Sequence, residues 1–399
     1  MKILFVIPSL AKGGQEKAGM LLCNFLTRYH EVIVVCFEEK NIADFDYQCE
    51  IIRIKIGTGN NLFKKSLSGV ERIRRLKKLK KKIAPDVSIA FGNTAIILNS
   101  LTGSKEKKIA SIRQSFSGFI NDNSFAIKIH KALYRWALQR SQKIVPVNKG
   151  INEELKLYYG IQNDTFINNG YDIEKINEMS REEVSFFNQS KLWIIHSGRF
   201  DLSKGHWHLI KIFTELKKAF PKATLLLLGA TNDSTGEGAS IFDFCKVYLK
   251  ENNLSWSDKK SNMADVIFLG HQMNPFKFIS KCDVFIFPSI WEGFPNALVE
   301  AMACGLPVVA ADCKTGPRDI LIDKKTGEEF GLLLPAFNDT FDQKMTRPDE
   351  ADVFWAEQIK DLLKNEGRLK HFKAQSIKRA NSFSISEMGN KWLKVIEDK

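Results

Sequence analysis

Residues 283–312 read DVFIFPSIWEGFPNALVEAMACGLPVVAAD. Val284 to Phe287 is a short apolar, β-rich run, and Pro288, which has no N–H to give to a ladder, takes the chain out of the sheet. Pro295 suits a first helical turn, Asn296 to Ala303 continues as a helix until Gly305 stops it, and Pro307 opens the apolar run Val308 to Ala311. The unit is β-loop-α-β. In an open α/β sheet ligands bind at the carboxyl ends of strands, where helix N-termini offer N–H groups and positive partial charge. The loop therefore suits an anion. It also carries two carboxylates, Glu292 and Glu300, with seven residues between them. Such a loop fits a ligand that is phosphate at one end and neutral hydroxyls at the other.

The string Glu292-Gly-Phe-Pro-Asn-Ala-Leu-Val-Glu300 closely resembles the Glu, seven residues, Glu signature of retaining family-4 glycosyltransferases. That resemblance implies that Glu292 contacts the donor sugar and Glu300 the ribose. The main chain of Gly293, Phe294, Pro295, Asn296, Ala297 and Leu298 would then hold the diphosphate. The segment Asp312-Cys-Lys-Thr-Gly-Pro-Arg-Asp-Ile-Leu321 is similar to members that build bacterial surface polysaccharides and lipid-linked oligosaccharides. A second signature lies upstream. Leu192 to Ser197 reads as a strand ending in Gly198-Arg199-Phe-Asp-Leu-Ser-Lys204-Gly205. An arginine forks onto two phosphate oxygens and a lysine acts as a point charge, so a glycine-bracketed strand end carrying both is a phosphate site. Matched to the family, Arg199 and Lys204 serve the donor diphosphate and, with Glu292, form the catalytic set.

The same resemblance organises the first half. Lys2 to Pro8 reads as a buried strand, followed by a turn with Gly13 and Gly14 and a helix to about Thr27. The third glycine of a dinucleotide fingerprint is missing. The family places this turn near the diphosphate and acceptor, with Gly14 on the donor side and Gly13 on the acceptor side. Val87 to Phe91 and Lys107 to Ile112 are strands whose ends, Gly92-Asn93-Thr94 and Arg113-Gln114-Ser115, should line the acceptor side. Many family members carry a histidine near the second position. Here Ser111-Ile-Arg-Gln-Ser-Phe-Ser117 has none, which leaves Asn93 and Arg113 as acceptor contacts.

Composition bounds the rest. A chain of 399 residues is long for one core, and 44% hydrophobic against 26% charged residues is globular. The expected fold is α/β, two doubly wound Rossmann-like domains facing a cleft. An acceptor domain at 1–172, completed by a C-terminal helix at 385–399, precedes a nucleotide-sugar domain at 173–384. Polar residues from Glu174 to Ser190 read as the linker, and Gly229 to Ala239 as part of a polar insertion within 229–264. The seven cysteines lack a CxxC pair and read as core residues of a reducing compartment. His206 and His208 are two apart, off a common helix face and without a neighbouring acid or cysteine cluster, so no metal site is expected there. No apolar window approaches a membrane span and no signal peptide is visible, which predicts a cytoplasmic protein.

The net charge of +13 lies in the first half, where residues 1–172 hold 28 Lys+Arg against 15 Asp+Glu. Between Leu62 and Ile83 apolar residues from Phe63 and Val70 to Leu79 recur at three and four residues, tracing one helical face. The rest of that stretch is basic, including Arg72, Arg75, Lys78, Lys80 and Lys82, opposed only by Glu71. The pattern predicts a helix lying on the anionic inner face of a cell membrane, with the basic helix of Tyr134 and Trp136 as a second contact. A nucleic-acid partner is disfavoured, because the run lacks interleaved aromatics and a recognition motif. A nicotinamide-linked oxidoreductase lacks its fingerprint, and a phosphorylase-like enzyme lacks its cofactor-lysine region. The resemblance thus implies a metal-independent transferase, with no cofactor, moving a hexose or N-acetylhexosamine from a nucleotide sugar, UDP favoured. The acceptor is expected to be a lipid-linked glycan, with a soluble or protein acceptor as the alternative.

Overall fold

The computed structural model describes residues 1–10, 13–37, 46–54, 62–116, 125–188, 190–231, 236–260, 263–338, 340–342 and 347–398. Ala11 and Lys12 of the glycine turn, Ser117, and residues 232–235 of the insertion lie outside them. The chain divides into two compact units, one formed by Met1–Asp172 with Phe383–Lys399 and the other by Ile173–Ser382.

In the first unit, strands β1 (Lys2–Val6), β2 (Glu31–Cys36), β3 (Glu50–Arg53), β4 (Val87–Phe91), β5 (Lys107–Ile112) and β6 (Lys143–Pro146) form one sheet in the order β3-β2-β1-β4-β5-β6. Every pairing is parallel. Parallel strands are covered on both faces, so they appear in sequence as unbroken apolar runs such as ILFV and VIVV rather than as alternation. The order reverses between β1 and β4, which puts the ends of both strands at the switch point of a doubly wound sheet.

The second unit repeats the plan. Strands β7 (Leu192–Ser197), β8 (Ala223–Leu228), β9 (Trp256–Ser257), β10 (Val266–Gly270), β11 (Val284–Phe287), β12 (Val308–Asp312) and β13 (Leu332–Pro335) lie in the order β13-β12-β11-β7-β8-β10-β9, again parallel throughout. Its switch point lies between β7 and β11. The helix Asn296–Ala303 connects β11 to β12.

The C-terminal helix Ile385–Glu397 packs on the first unit: Met388, Trp392 and Ile396 enter its core, and Lys107 donates from Nζ to the carbonyls of Val395 at 2.9 Å and Ile396 at 3.2 Å. A Cβ on Gly389 would stand 2.3 Å from the Phe25 ring, so only glycine allows this approach.

Three local expectations are corrected. The stretch read as linker begins with a helix, Ile173–Ser180. The insertion contains the helix Glu237–Glu251, whose Ile241, Phe244, Cys245, Tyr248 and Leu249 are buried in the second core. On the basic helix Leu62–Ile83, Val70 is exposed, and Lys80 is buried along with Leu76. Lys80 pairs with Glu106 at 2.6 Å and donates to Thr102 Oγ1 at 3.0 Å and Ser104 Oγ at 3.1 Å. Burial pulls its ammonium down to about 8, against the Glu106 carboxylate, which acts to keep it charged. A buried charge is tolerated only when paired and hydrogen-bonded, and Lys80 meets both conditions.

Candidate active site

The site begins at the carboxyl ends of β7 and β11. Gly198 donates its N–H to the Leu228 carbonyl at 2.8 Å, and Gly229 fits against it so closely that a Cβ there would stand 1.8 Å from the Gly198 oxygen. The chain then makes a 3-10 turn at Leu202–Lys204, and Gly205, at φ +62°, enters the helix His206–Ala219. A Cβ on Gly205 would meet the Pro288 carbonyl oxygen at 2.2 Å. The Ile290 N–H reaches the Ser203 carbonyl at 2.8 Å. Those contacts lock the β7 loop to the β11 loop across the switch point.

That lock brings two predicted residues together. Lys204 Nζ lies 2.5 Å from Glu292 Oε1, with the glutamate buried and the lysine one-fifth exposed. The Lys204 ammonium also sits 5.9 Å from the centre of the Phe287 ring. Arg199 is largely exposed, 3.7 Å from Asp201. Thr315 donates its hydroxyl to the Glu292 carbonyl, and Gly316, at φ +101°, packs against Pro295, where a Cβ would come within 2.6 Å of the proline ring. The Asp312–Leu321 segment is therefore the clamp that holds the glutamate loop, with Arg318 Nε on Asp312 at 2.9 and 3.1 Å. Pro295 has no side-chain cap at the start of the helix Asn296–Ala303. Phe294 and Leu298 are buried, while Gly293, Asn296, Ala297 and Glu300 are half-buried on the same loop and helix.

Beneath the β7 loop lies a pair of histidines, His196 and His206, of which the sequence reading weighed only His206, and only as a metal ligand. His196 and His206 are fully buried with their rings nearly perpendicular and 4.8 Å apart, and Phe200 stacks on His206 at 4.0 Å. His196 Nδ1 donates to the Ile286 carbonyl at 2.9 Å. Burial pulls His196 down to about 4, and burial, with His196 and Lys204 adding, pushes His206 well below its usual value. Two neutral imidazoles thus floor the loop without adding charge under Lys204. The linkage has a definite sign. The unfolded chain takes up protons near 6.5 that the folded one refuses, so stability complete above that pH is lost as pH falls toward about 4. His196 alone should cost about 3 kcal/mol over that window. The urea midpoint is expected to drop between pH 7 and pH 4.5, and to drop less in His196→Asn, whose amide still donates to Ile286. Equal drops in both proteins would contradict it.

In the first unit, Gly13 and Gly14 open the helix Gly14–Leu26 after β1, and Gly92, at φ +95°, fits beneath the Gln15 side chain at the end of β4. Asn93 accepts from Tyr134 at 3.0 Å. Tyr134 is consequently buried rather than membrane-facing. Arg113 is also buried: it donates to Ser111 Oγ at 2.7 Å, and to the Ile167 carbonyl and Asn169 Oδ1 at 3.2 Å each. Its guanidinium lies 4.4 Å from the Phe91 ring and 5.5 Å from that of Trp392. The arginine expected to meet an acceptor thus ties the sheet to the C-terminal helix.

Lys204 and Glu292 thus meet, with Arg199 on the same loop, at the switch point of a doubly wound sheet, the place where open α/β sheets take their ligands. Residues 12–175 match the family described as Glycosyltransferase Family 4 and residues 179–335 that of Glycosyl transferases group 1, and the chain belongs to these glycosyltransferases. It is 26% identical over 401 aligned residues, 99% of each chain, to the N-acetylgalactosamine-N,N'-diacetylbacillosaminyl-diphospho-undecaprenol 4-alpha-N-acetylgalactosaminyltransferase of Campylobacter jejuni. An uncharacterized glycosyltransferase of Methanocaldococcus jannaschii is 29% identical over 295 residues, covering 68% of this chain and 66% of that protein. A crystal structure of Anabaena HepE in complex with UDP superposes with a TM-score of 0.73 over all of both chains at 16% identity, which establishes the GT-B fold.

Proposed function

We propose that this glycosyltransferase moves a hexose or N-acetylhexosamine from a UDP-sugar to a polyprenyl-diphosphate-linked glycan, with retention at the anomeric carbon and without a catalytic metal. The observation that carries the reading is the Lys204–Glu292 pair at the switch point, beside the exposed Arg199 and the start of the helix at Asn296. Transfer breaks the bond between the anomeric carbon and the diphosphate oxygen, so negative charge grows on the leaving group and positive charge on the sugar ring. Lys204, Arg199 and the helix N-terminus supply fixed positive potential for the first, and each such donor contributes about 3 kcal/mol to the transition state. Glu292 orients the sugar, Glu300 holds the ribose, and the leaving phosphate accepts the proton of the acceptor hydroxyl. The Campylobacter relative, whose name gives an undecaprenol-linked acceptor, supports the lipid-linked substrate.

A thermal-shift series of UDP-, GDP- and ADP-sugars, first without metal and then with Mg²⁺, tests the donor. Saturation at a hundred times Kd stabilises the native state by about 2.7 kcal/mol, so a donor stands out. The expected result is a metal-independent shift from one UDP-sugar. No shift from any sugar nucleotide, with the protein folded, overturns the reading.

The acceptor lies at a membrane, and the helix Leu62–Ile83 supplies an attachment. Arg75, Lys78 and Lys82 are exposed with Arg74, Lys77 and Lys81, while Arg72 is half-buried against Phe37. No described helix is long and apolar enough to cross a membrane, so attachment would be peripheral, at the inner face of the cell membrane. Each basic residue near an anionic surface adds about 1 kcal/mol. Replacing Arg74, Arg75, Lys77, Lys78 and Lys82 with glutamine is expected to release the protein from anionic liposomes at low salt in a flotation assay. Binding equal to wild type would show a merely solvated face.

A further inference from the structure

The helix His206–Ala219, which starts immediately after the Lys204 loop, carries a second polar cluster on a different face. His208 and Lys211 meet the first turn of the helix Glu350–Lys364, where Asp349 is the N-cap and Asp352 completes a capping box. His208 Nδ1 lies 2.6 Å from Asp352 Oδ1, and Lys211 Nζ lies 3.8 Å from Asp352 Oδ2. All but Asp349 are at least nine-tenths buried. A cavity of about 210 Å³ opens beside them, lined by Trp207, His208, Lys211, Asn338, Thr340, Asp342 and Asp349.

Two features point to what this cavity takes. An ionised carboxylate only accepts, so His208 donates from Nδ1 to Asp352, and in the neutral imidazole this leaves the lone pair on Nε2. That Nε2 is buried and has no hydrogen-bond partner, on a residue that lines the cavity. In addition, one donor atom each from His208, Asp349 and Asp352 lies within 4.8 Å of the others, so modest shifts would bring them to the bond lengths of about 2.0–2.2 Å that a small divalent ion takes. A histidine whose other nitrogen is held by a carboxylate is the arrangement by which metal ligands are oriented. The charges agree: two carboxylates face one ammonium, leaving a negative excess in a buried place.

We propose that this cavity binds a divalent first-row ion of the Zn²⁺ or Mn²⁺ type, through His208 and Asp349 with Asp352 orienting the imidazole. One imidazole with carboxylate oxygens suits those ions better than Mg²⁺ or Ca²⁺. Lys211 is the counter-charge of the metal-free state, and its ammonium, which lines the same cavity, opposes an incoming cation. The ion staples the first turn of the helix Glu350–Lys364 to the helix that anchors the Lys204 loop. Its role is structural, and the proposal stands apart from the transfer reaction.

The test is binding, with activity left out. The full chain is stripped with chelator, dialysed against Zn²⁺ or Mn²⁺, and its metal content measured together with its melting temperature. His208→Asn keeps a donor to Asp352 and deletes the second ring nitrogen. Asp349→Asn keeps the cap acceptor for the Asp352 N–H and deletes the charge. The expected result is one retained ion and a raised melting temperature in wild type, with affinity at least about tenfold weaker in each variant. Lys211→Met should bind about tenfold more tightly, because it removes the opposing cation. Absence of a retained ion in wild type overturns the proposal. So does an affinity unchanged in both His208→Asn and Asp349→Asn, which would put the ion elsewhere; a variant that does not melt cooperatively is read from the other.

Discussion

Glu292→Ala is expected to lower kcat by at least about a hundredfold while leaving a single cooperative unfolding transition. Two effects combine. Glu292 is buried at the switch point, its main-chain carbonyl accepts from Thr315 and its carboxylate accepts from Lys204, so the side chain has little freedom. A group that positions the reacting sugar loses about two orders of magnitude when its geometry fails. Its removal also leaves Lys204 without its partner, and a one-fifth-exposed ammonium then reorients toward solvent rather than toward the leaving diphosphate. Glu292→Gln separates the two effects, since the amide still accepts from a sugar hydroxyl but no longer neutralises Lys204. The check is single-turnover transfer at saturating donor. A Glu292→Ala protein that keeps a tenth of wild-type kcat would remove this residue from the active site.

Lys204→Met should cost a similar amount, a factor of about 10² to 10³ in kcat, because a preorganised donor aimed at developing charge is lost. Methionine retains the aliphatic stem that packs near Gly198, so the loop keeps its shape. The effect belongs in kcat rather than KM, since the charge on the diphosphate grows only as the bond breaks. The informative protein is the double variant. Lys204 and Glu292 are in direct contact, so their effects should not add: the pair removed together is expected to lose little more than the worse single variant. Full additivity would show that the 2.5 Å contact is a resting-state pairing with no shared role in transfer. Arg199→Ala should be milder, because its side chain is 72% exposed.

Much of this was legible from one dimension. Parallel strands buried on both faces appear as apolar runs, and proline and glycine mark their ends, so β5, β7 and β11 fall where the residues place them. The glutamate and lysine loops were likewise readable, because each is a local string between a strand and a helix. The helix Glu237–Glu251 was missed although Ile241, Phe244, Cys245, Tyr248 and Leu249 recur at three and four residues, because the polar, glycine-containing stretch ahead of it led to its being read as part of an insertion.

The sequence by itself therefore determined the doubly wound plan in two units, the position of the loops that carry Lys204 and Glu292, and the basic helix, all of which depend on periodicity and chain-local chemistry. The tertiary structure alone decided which distant residues meet. Lys204 finds Glu292 across 88 positions and His208 finds Asp352 across 144, and neither spacing carries a periodic signal. It also decided which polar residues turn inward. Lys80, Arg113 and Tyr134 look like surface groups in sequence, yet each is buried because a partner on another element, Glu106, Asn169 or Asn93, satisfies it there. Burial of a polar side chain is a property of the pair, and pairing is settled only when the chain closes on itself.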